Sequence, residues 1–185
     1  MLTETVGAPY PGFDVKAVNE DDEFLPSSET GELVVRGDGV MLGYLDDEQT
    51  AAEMIDDEWV RTGDMGYIDD DGYVRLRGRA HNMYISGGYN VYPDEIQDVL
   101  TSHPDVKLAQ VVGVEHDKWG EAGHAFIVPE PDTDLTESDL EAYARDELAD
   151  YKRPVEYTIS AELPTTTLGK IDRQALIDEY SLSTV

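Results

Sequence analysis

The spacing of apolar and polar residues changes near Gly78. Before this position, short apolar runs alternate with turns rich in glycine and aspartate, and this pattern predicts short β-strands. We predict these strands at residues 31–36, 41–44, 59–61 and 73–77. Good helix formers within residues 47–55 predict one short helix between them. The first part of the chain is therefore predicted to be a small, barrel-like, β-rich subdomain.

After Gly78, helical and strand patterns alternate. Helices are predicted at 93–102, 136–149 and 173–180, and strands at 108–114, 125–128 and 156–160. Pro93 is suited to a first helical turn, and Thr136 with Asp139 has the spacing of a capping box. Such alternation argues for a compact α+β unit of roughly a hundred residues. The predicted fold class is α+β, with a β-rich region at 1–78 and a compact α+β domain at 79–185.

The composition is strongly acidic. Acidic residues number 41 against 13 basic ones, and the formal net charge of −28 is distributed along the chain. This balance is typical of halophilic proteins and disfavours binding to nucleic-acid phosphates. An acidic tail that binds a basic partner is the alternative, but the charges are interleaved with apolar residues. No apolar run reaches the ~18 residues of a membrane span, and no signal-peptide pattern opens the chain, so we expect a cytoplasmic protein.

Cysteine and metal chemistry are both disfavoured. The chain has no cysteine, which excludes disulfides and thiolate catalysis within it. His116 and His124 flank Asp117 and Glu121, but the two histidines lack the helical i, i+4 spacing of a common zinc motif. We therefore expect a loop between strands here and no metal held by protein side chains.

Residues 78–96 carry the first candidate for chemistry. Gly87 and Gly88 have no side chains, so a ligand can lie directly against their backbone. Arg79 follows a glycine nearby, and Pro93 starts a helix a few residues later. The alternative is a strand, a glycine turn and a helix that bind no ligand, since glycine turns between elements are common.

Two more segments accompany this one, in a recognisable order. Asp64 ends the run Arg61-Thr62-Gly63-Asp64, and Lys170 follows an extended, threonine-rich loop that begins at Leu163. Alone, each residue could be an ordinary turn aspartate or a solvated lysine. Together, the three segments resemble the AMP-forming acyl-CoA synthetases and the other adenylate-forming enzymes, which include luciferases and peptide-synthetase adenylation domains. The resemblance extends from about residue 6 to residue 180.

The resemblance implies a two-step reaction. A carboxylate attacks the α-phosphate of ATP to give an acyl-AMP, and the thiol of CoA then displaces AMP to give a thioester. Lys170 matches the catalytic lysine, whose ammonium stabilises developing negative charge. Asp64 and Arg79 match residues that bind the ribose of the nucleotide, since a carboxylate can accept hydrogen bonds from two vicinal hydroxyls. ATP or AMP with Mg²⁺ and CoA are thus the implied cofactors and substrates, with the metal held mainly by the nucleotide and by residues outside this sequence.

The resemblance also implies a CoA-binding face and a hinge. Gly87, Gly88 and Tyr89 match the segment along which the pantetheine arm lies, and Arg153 lies in a stretch that approaches CoA from the other side. Family members alternate their C-terminal domain between two poses about a pivot, here near residues 79–82. His81 occupies that pivot, where the family usually carries aspartate or lysine.

Some family segments do not occur in this sequence. These are the phosphate loop rich in serine, threonine and glycine, and the aromatic-Gly-x-Thr-Glu segment that helps to hold Mg²⁺ and adenine. We therefore expect the C-terminal portion of an acid–CoA ligase of fatty acid metabolism, inactive without an N-terminal part that in a split enzyme would be a separate polypeptide. Residues 1–78 would then be the β-rich end of the large AMP-binding domain. The alternative is a non-catalytic remnant or a stand-alone binding module that keeps the fold.

Overall fold

The computed structural model describes residues 5–40, 54–55 and 58–183. The chain divides into an N-terminal unit, Met1–His81, and a C-terminal unit, Asn82–Val185. The predicted strand at 41–44 and most of the predicted helix at 47–55 lie outside the described residues. None of the described helices is both long and apolar enough to cross a membrane.

The N-terminal unit is built on one antiparallel sheet. Its five strands are β1 (Phe13–Val18), β2 (Gly31–Gly37), β3 (Met54–Ile55), β4 (Trp59–Ile68) and β5 (Val74–Arg79). The order is β1-β2-β4-β3, and β5 also pairs with β4. Neighbouring residues on β2 point to opposite faces, so Leu33 and Val34 join two different core clusters. The barrel closure predicted from the sequence is not seen among the described strands, whose order is open.

Two predictions for this unit need correction. Met54 and Ile55 were assigned to the end of a helix, but they form β3, in antiparallel register with Val60 and Trp59. Pairing with β4 overrides their helix propensity, which is a weak local preference. β4 also extends well beyond the predicted 59–61, because it pairs with β2 along its first part and with β5 along its second.

The C-terminal unit is a mixed sheet covered by helices. Its elements, in chain order, are β6 (Tyr84–Ser86), β7 (Tyr89–Val91), α1 (Pro93–Thr101), β8 (Val106–His116), β9 (Gly120–Pro129), α2 (Glu137–Glu147), β10 (Glu156–Ile159) and α3 (Arg173–Ser183). The sheet order is β10-β9-β6-β7, with β8 on β9, and β10 runs parallel to β9. The predicted α+β class is confirmed.

Both faces of this sheet are buried. Val111 packs in the cluster that contains Ile96 and Leu100 of α1 and Leu140 of α2, whereas Val112 packs with Leu176 of α3. Side chains alternate across a strand, so a strand covered on both faces must be apolar at consecutive positions. This requirement explains the largely apolar segment that predicted the strand at 108–114.

The predicted caps of the first two helices are present. Pro93 is the first residue of α1, with Asp94 and Glu95 in its first turn. At α2, the backbone N–H of Thr136 donates to Asp139 Oδ2 at 3.0 Å, and the Asp139 N–H donates to Thr136 Oγ1 at 3.3 Å. The hydrogen bonds from Thr136 lower the pKa of the Asp139 carboxyl. The capping box read from the sequence is therefore confirmed.

Candidate functional site

Asp64 and Arg79 are direct neighbours on adjacent strands. They are paired in the β4–β5 register, and Arg79 Nε lies 2.9 Å from Asp64 Oδ1. Arg79 Nη1 also donates to the carbonyl of Thr62 at 3.4 Å. The pair is partly exposed, at 53% for the Arg79 side chain and 29% for Asp64, and such an ion pair contributes only ~0–1 kcal/mol. A ligand could therefore replace either partner at little cost.

The backbone around Asp64 is held by side-chain hydrogen bonds. Thr62 Oγ1 donates to the Leu33 carbonyl at 2.8 Å and accepts from the Asp64 N–H at 3.1 Å. Gly63, with φ of 71°, donates its N–H to Glu32 Oε1 at 3.3 Å. Glu32 also bonds Arg61, which is paired with Asp22 as well. Sequence reasoning missed Glu32, because nothing in the local pattern indicates which strand lies beside residues 61–64.

This corner can bind a vicinal diol. Asp64 Oδ1 is engaged by Arg79, and no partner of Oδ2 is found within the described part of the chain. A carboxylate oxygen that accepts, next to a guanidinium that donates, matches two neighbouring hydroxyls, each of which does both. The geometry therefore fits the ribose role that the resemblance implies for Asp64 and Arg79.

The glycine pair closes a tight hairpin. β6 and β7 are joined by Gly87 and Gly88, with φ values of 57° and 87°, and Ser86 pairs with Tyr89. Two positive φ angles are what a two-residue hairpin of this type requires, so the turn alone accounts for both glycines. The order of strand, glycine turn and helix, which the sequence analysis gave as the alternative, lacks one element: the structure has strand, turn, second strand and helix.

The two glycines differ in their surroundings. The Gly87 N–H donates to the Trp119 carbonyl at 2.9 Å, and a Cβ at Gly87 would lie 2.8 Å from the Trp119 ring. A Cβ at Gly88 would have no atom within 4 Å. Gly88 thus presents uncovered backbone, which suits the approach of an extended ligand.

The structure brings the two predicted CoA-binding segments together. The ring of Tyr89 stacks on that of Tyr151, with centroids 4.6 Å apart and an interplanar angle of 27°. Lys152 Nζ lies 2.7 Å from Glu95 Oε1 of α1, which ties the same segment to the body of the unit. Sequence reasoning did not identify Tyr151, whose only signal was its position next to Lys152 in the matched stretch.

Arg153 has a structural explanation of its own. Its Nε donates to the Leu148 carbonyl at 3.0 Å, and its Nη2 donates to the Arg145 carbonyl at 3.0 Å. Nη1 pairs with Asp150 at 2.6 Å. The guanidinium thus satisfies carbonyls at the C-terminal end of α2. Its predicted contact with CoA stays a prediction.

Lys170 lies in an exposed turn that is closed by an antiparallel β-bridge. The Thr166 N–H donates to the Lys170 carbonyl at 2.7 Å, Thr165 pairs with Ile171, and Gly169 has a φ of 76°. Over the described residues, the Lys170 ammonium has no hydrogen-bond or ion-pair partner. Its side chain therefore stays unpaired among these residues although the chain carries 41 acidic residues.

The predicted pivot and the histidine pair are less informative. His81 is exposed in the short 3₁₀ turn Ala80–Asn82, and the chain divides immediately after it, three residues beyond the predicted boundary.

His124 does not lie in a loop: it is buried on β9, where Nε2 is 2.8 Å from Thr158 Oγ1. Burial lowers the pKa of His124. No cluster of three side chains suited to a metal occurs in residues 5–40, 54–55 and 58–183.

Comparisons with known proteins agree on one family. Residues 95–170 match the model of the AMP-binding enzyme C-terminal domain, and residues 2–45 match the model of the AMP-binding enzyme itself. The chain is 38% identical over 179 residues to the 3-[(3aS,4S,7aS)-7a-methyl-1,5-dioxo-octahydro-1H-inden-4-yl]propanoyl:CoA ligase of Rhodococcus jostii, covering 96% of this chain and 33% of that protein. It is 39% identical over 175 residues to the long-chain-fatty-acid–CoA ligase of Escherichia coli, covering 95% and 31%.

Solved structures agree with this result. The o-succinylbenzoate CoA synthetase of Bacillus subtilis, in complex with its acyl-adenylate intermediate, matches with a TM-score of 0.87 and 34% identity, covering 95% of this chain and 36% of that one. The amide bond synthetase of Marinactinospora thermotolerans matches with a TM-score of 0.87 and 36% identity, covering 96% and 36%. The chain thus matches acid–CoA ligases and synthetases in both sequence and fold. The chain belongs to the AMP-binding enzyme family and corresponds to the C-terminal part of its AMP-forming acyl-CoA synthetases. It spans about a third of the length of the curated relatives that it matches.

Proposed function

We propose that this chain is the C-terminal part of an ATP-dependent, AMP-forming carboxylic acid–CoA ligase. The observation that carries the proposal is Lys170, an ammonium without a described partner on an exposed turn of a strongly acidic chain. The geometry of Asp64 and Arg79 supports it, because the two side chains together offer an acceptor and donors to a ribose. The alternative of a non-catalytic module predicts no turnover from any form of the protein.

In the proposed first step, a carboxylate oxygen of the acid bonds to the α-phosphorus of ATP, and the bond to the β-phosphate oxygen breaks. Pyrophosphate leaves with the electron pair. Lys170 stabilises the negative charge that builds on the phosphate and carboxylate oxygens. Mg²⁺ would travel with the nucleotide phosphates, since the described residues offer no cluster of side chains to hold it.

In the proposed second step, a thiol sulfur attacks the acyl carbon, and AMP leaves from the mixed anhydride. The uncovered backbone of Gly88 and the stacked Tyr89 and Tyr151 support a role for this face in binding CoA. Two similar proteins are named for other acceptors: a fatty acid–[acyl-carrier-protein] ligase of Streptomyces coeruleorubidus and the amide bond synthetase above. We assign CoA as the acceptor because CoA ligases are more numerous among the relatives and because the sequence of residues 85–93 resembles theirs. The same resemblance favours a fatty, medium-chain or aryl acid as substrate.

The catalytic role of Lys170 is tested in an assembled enzyme. This is the chain fused behind the part of the B. subtilis synthetase that it does not match, with the parent synthetase as positive control. Carboxylate-dependent exchange of pyrophosphate into ATP is measured for Lys170→Ala and for Lys107→Ala, a matched exposed lysine on β8. We expect the first change to lower the exchange rate ~10²–10³-fold and the second to leave it unchanged. Equal rates for both variants would contradict the proposal.

The 185-residue chain alone is expected to show no exchange, because it spans only about a third of its relatives. Exchange by the chain alone would contradict this expectation. The non-catalytic alternative is tested by sequencing the DNA immediately upstream of the segment that encodes this chain. A continuous reading frame that encodes a glycine-rich phosphate loop supports the ligase, and exchange by the resulting longer polypeptide would exclude the alternative.

We also propose that the protein works in the cytoplasm of a halophile. The net charge of −28 supports adaptation to a high salt concentration, because mobile ions screen the repulsion between like charges. The cytoplasm is inferred from the proposed substrates ATP and CoA. The urea midpoint of the chain is expected to rise between 0.1 M and about 2 M KCl, since the screening length falls well below 10 Å over this range. A midpoint that falls with KCl would contradict the halophilic assignment.

A further inference from the structure

Three consecutive residues hold the glycine hairpin, which we define as Tyr84–Val91: Trp119 at the end of the β8–β9 turn, and Gly120 and Glu121 at the start of β9. Glu121 Oε2 accepts a hydrogen bond from the Ile85 N–H at 2.9 Å. Gly120 is the residue of β9 that pairs with Ser86. Trp119 accepts from the Gly87 N–H at 2.9 Å and places its ring against Gly87.

The hairpin needs this support because its tip is covered only on the Trp119 side. Ile85 and Tyr89 are 49% and 59% exposed, and Gly88 faces open space. Tyr84 and Val91 at the base are buried, and so is Ser86 next to the tip. The direction of the tip therefore depends on the contacts that residues 119–121 make with residues 85–87, together with the stack of Tyr89 on Tyr151.

Glu121 is poorly placed if its purpose is to stabilise the β8–β9 ladder. It lies directly opposite Glu115 in the register, and like charges at opposed positions are destabilising. Its carboxylate is instead used across the sheet, on a backbone N–H of the hairpin. A hydrogen bond to a charged acceptor is stronger than a neutral one. The side chain thus favours one position of the hairpin and adds repulsion to its own strand.

We propose that Glu121 is a positioning residue that holds the glycine hairpin in the orientation required for the thiol acceptor. This inference rests on the proposed function, since it concerns the second half-reaction of the ligase. Glu121 acts through the Ile85 N–H and is not among the residues assigned above to the nucleotide or to the adenylation step. Loss of its carboxylate should therefore weaken use of CoA and leave adenylate formation intact.

The test compares three variants of the assembled enzyme. Glu121→Ala removes the acceptor, Glu121→Gln keeps an acceptor oxygen without the charge, and Glu115→Ala removes a charge from the opposite strand as a matched control. For Glu121→Ala we expect the KM for CoA to rise about tenfold, as for loss of one charge-assisted hydrogen bond, with pyrophosphate exchange within about twofold of wild type. Glu121→Gln keeps a neutral acceptor, so its KM for CoA should lie between those of Glu121→Ala and wild type, and Glu115→Ala should match wild type.

Two results would overturn the inference. One is an unchanged KM for CoA in Glu121→Ala, and the other is an equal loss in both half-reactions, which would indicate a general structural role. If the wild-type assembled enzyme neither exchanges pyrophosphate nor forms a thioester, the proposed function fails. The positioning role is then decided by amide hydrogen exchange in the 185-residue chain. Exchange at Ile85 and Gly87 should be about tenfold faster in Glu121→Ala, with Ile127 unchanged, and equal rates at all three would overturn it.

Discussion

The glycine hairpin and the turn that carries Lys170 are built alike but supported differently. Each reverses the chain at a glycine with positive φ, and each carries a candidate for one half-reaction. The first is covered by Trp119 and bonded by Glu121. The second is closed by its own backbone hydrogen bonds, with Leu168 86% exposed and open space around Gly169.

This difference separates two reasons for a glycine. At Gly169 the backbone conformation alone requires it, whereas at Gly87 a neighbouring ring adds a second requirement. A turn restrained from outside suits a surface that must present backbone to a ligand in a fixed direction. A turn restrained only from within suits a lysine whose partner arrives from elsewhere. Substitutions that separate the two requirements test this comparison.

The largest effect is expected from Gly87→Ala. An alanine at a left-handed position costs about 1–2 kcal/mol, and overpacking against a ring adds about 1–3 kcal/mol. The total loss in the free energy of unfolding should be about 2–5 kcal/mol, measured by urea denaturation of the chain. Gly169→Ala and Gly88→Ala have positive φ but open space, so each should lose only about 1–2 kcal/mol. Equal losses at all three positions would show that the Trp119 contact is energetically irrelevant.

The contact itself can be isolated with Trp119→Ala. In that background a Cβ at position 87 no longer meets the ring, so Gly87→Ala should cost only its backbone term. The double-mutant cycle should give a coupling of about 1–3 kcal/mol between the two sites, equal to the overpacking term. Gly169→Ala serves as the control and should be additive with Trp119→Ala. A coupling near zero would place the whole cost of Gly87→Ala in the backbone.

Local features of the C-terminal unit were readable from the sequence. Pro93 and the Thr136–Asp139 pair indicate where their helices begin, because helix capping depends on residues only three or four positions apart. The apolar run at 108–114 predicts a strand because both of its faces are buried. β7 was missed, since three residues are too few for a periodic pattern and the turn looked like the start of a helix.

Long-range contacts were not readable. The ring of Trp119 over Gly87, the stack of Tyr89 on Tyr151 and the hydrogen bond from Ile85 to Glu121 all join residues at least 32 positions apart, and no local pattern encodes them. The resemblance named Asp64 and Arg79 without implying that they are paired across two strands. Their roles, and those of Lys170, Arg153 and His81, stay predictions.

A smaller effect is expected where the lysine turn meets α3. Asp172 follows Ile171, and its carboxylate accepts from the Ala175 N–H at 3.1 Å, as an N-cap does. Asp172→Ala should therefore lower the free energy of unfolding by about 1 kcal/mol, measured by urea denaturation. Asp172→Asn keeps an oxygen acceptor and is the matched control, with a loss of a few tenths of a kcal/mol at most. A loss as large for asparagine as for alanine would show that charge, and not capping, is what matters.

The smallest effect is a pH dependence of stability that arises at His124, beside α3, the helix that follows the Lys170 turn. The ring of His124 packs against α3: its centroid lies 4.9 Å from that of Tyr180, in an edge-on arrangement, and 4.5 Å from that of Phe126. Burial lowers its pKa, so the unfolded chain takes up a proton at a pH at which the folded chain does not. Stability from this group is therefore present above pH ~6.5 and lost as pH falls through the depressed folded pKa. The urea midpoint of the chain should fall over this window, and less steeply in His124→Gln.

The sign of this slope discriminates between two environments. Glu156, Glu179 and Glu137 act on His124 in the opposite direction to burial, since a nearby carboxylate favours the charged imidazole. If these acids prevailed, protonation would stabilise the fold, and the histidine contribution would increase as pH falls. If burial prevails, protonation weakens the ring packing that holds α3, and amide exchange at Leu176 should rise before exchange at Gly87 does. Simultaneous loss at both residues would mean that α3 and the glycine hairpin unfold as one unit, and the difference between the two turns would then lie in their surfaces alone.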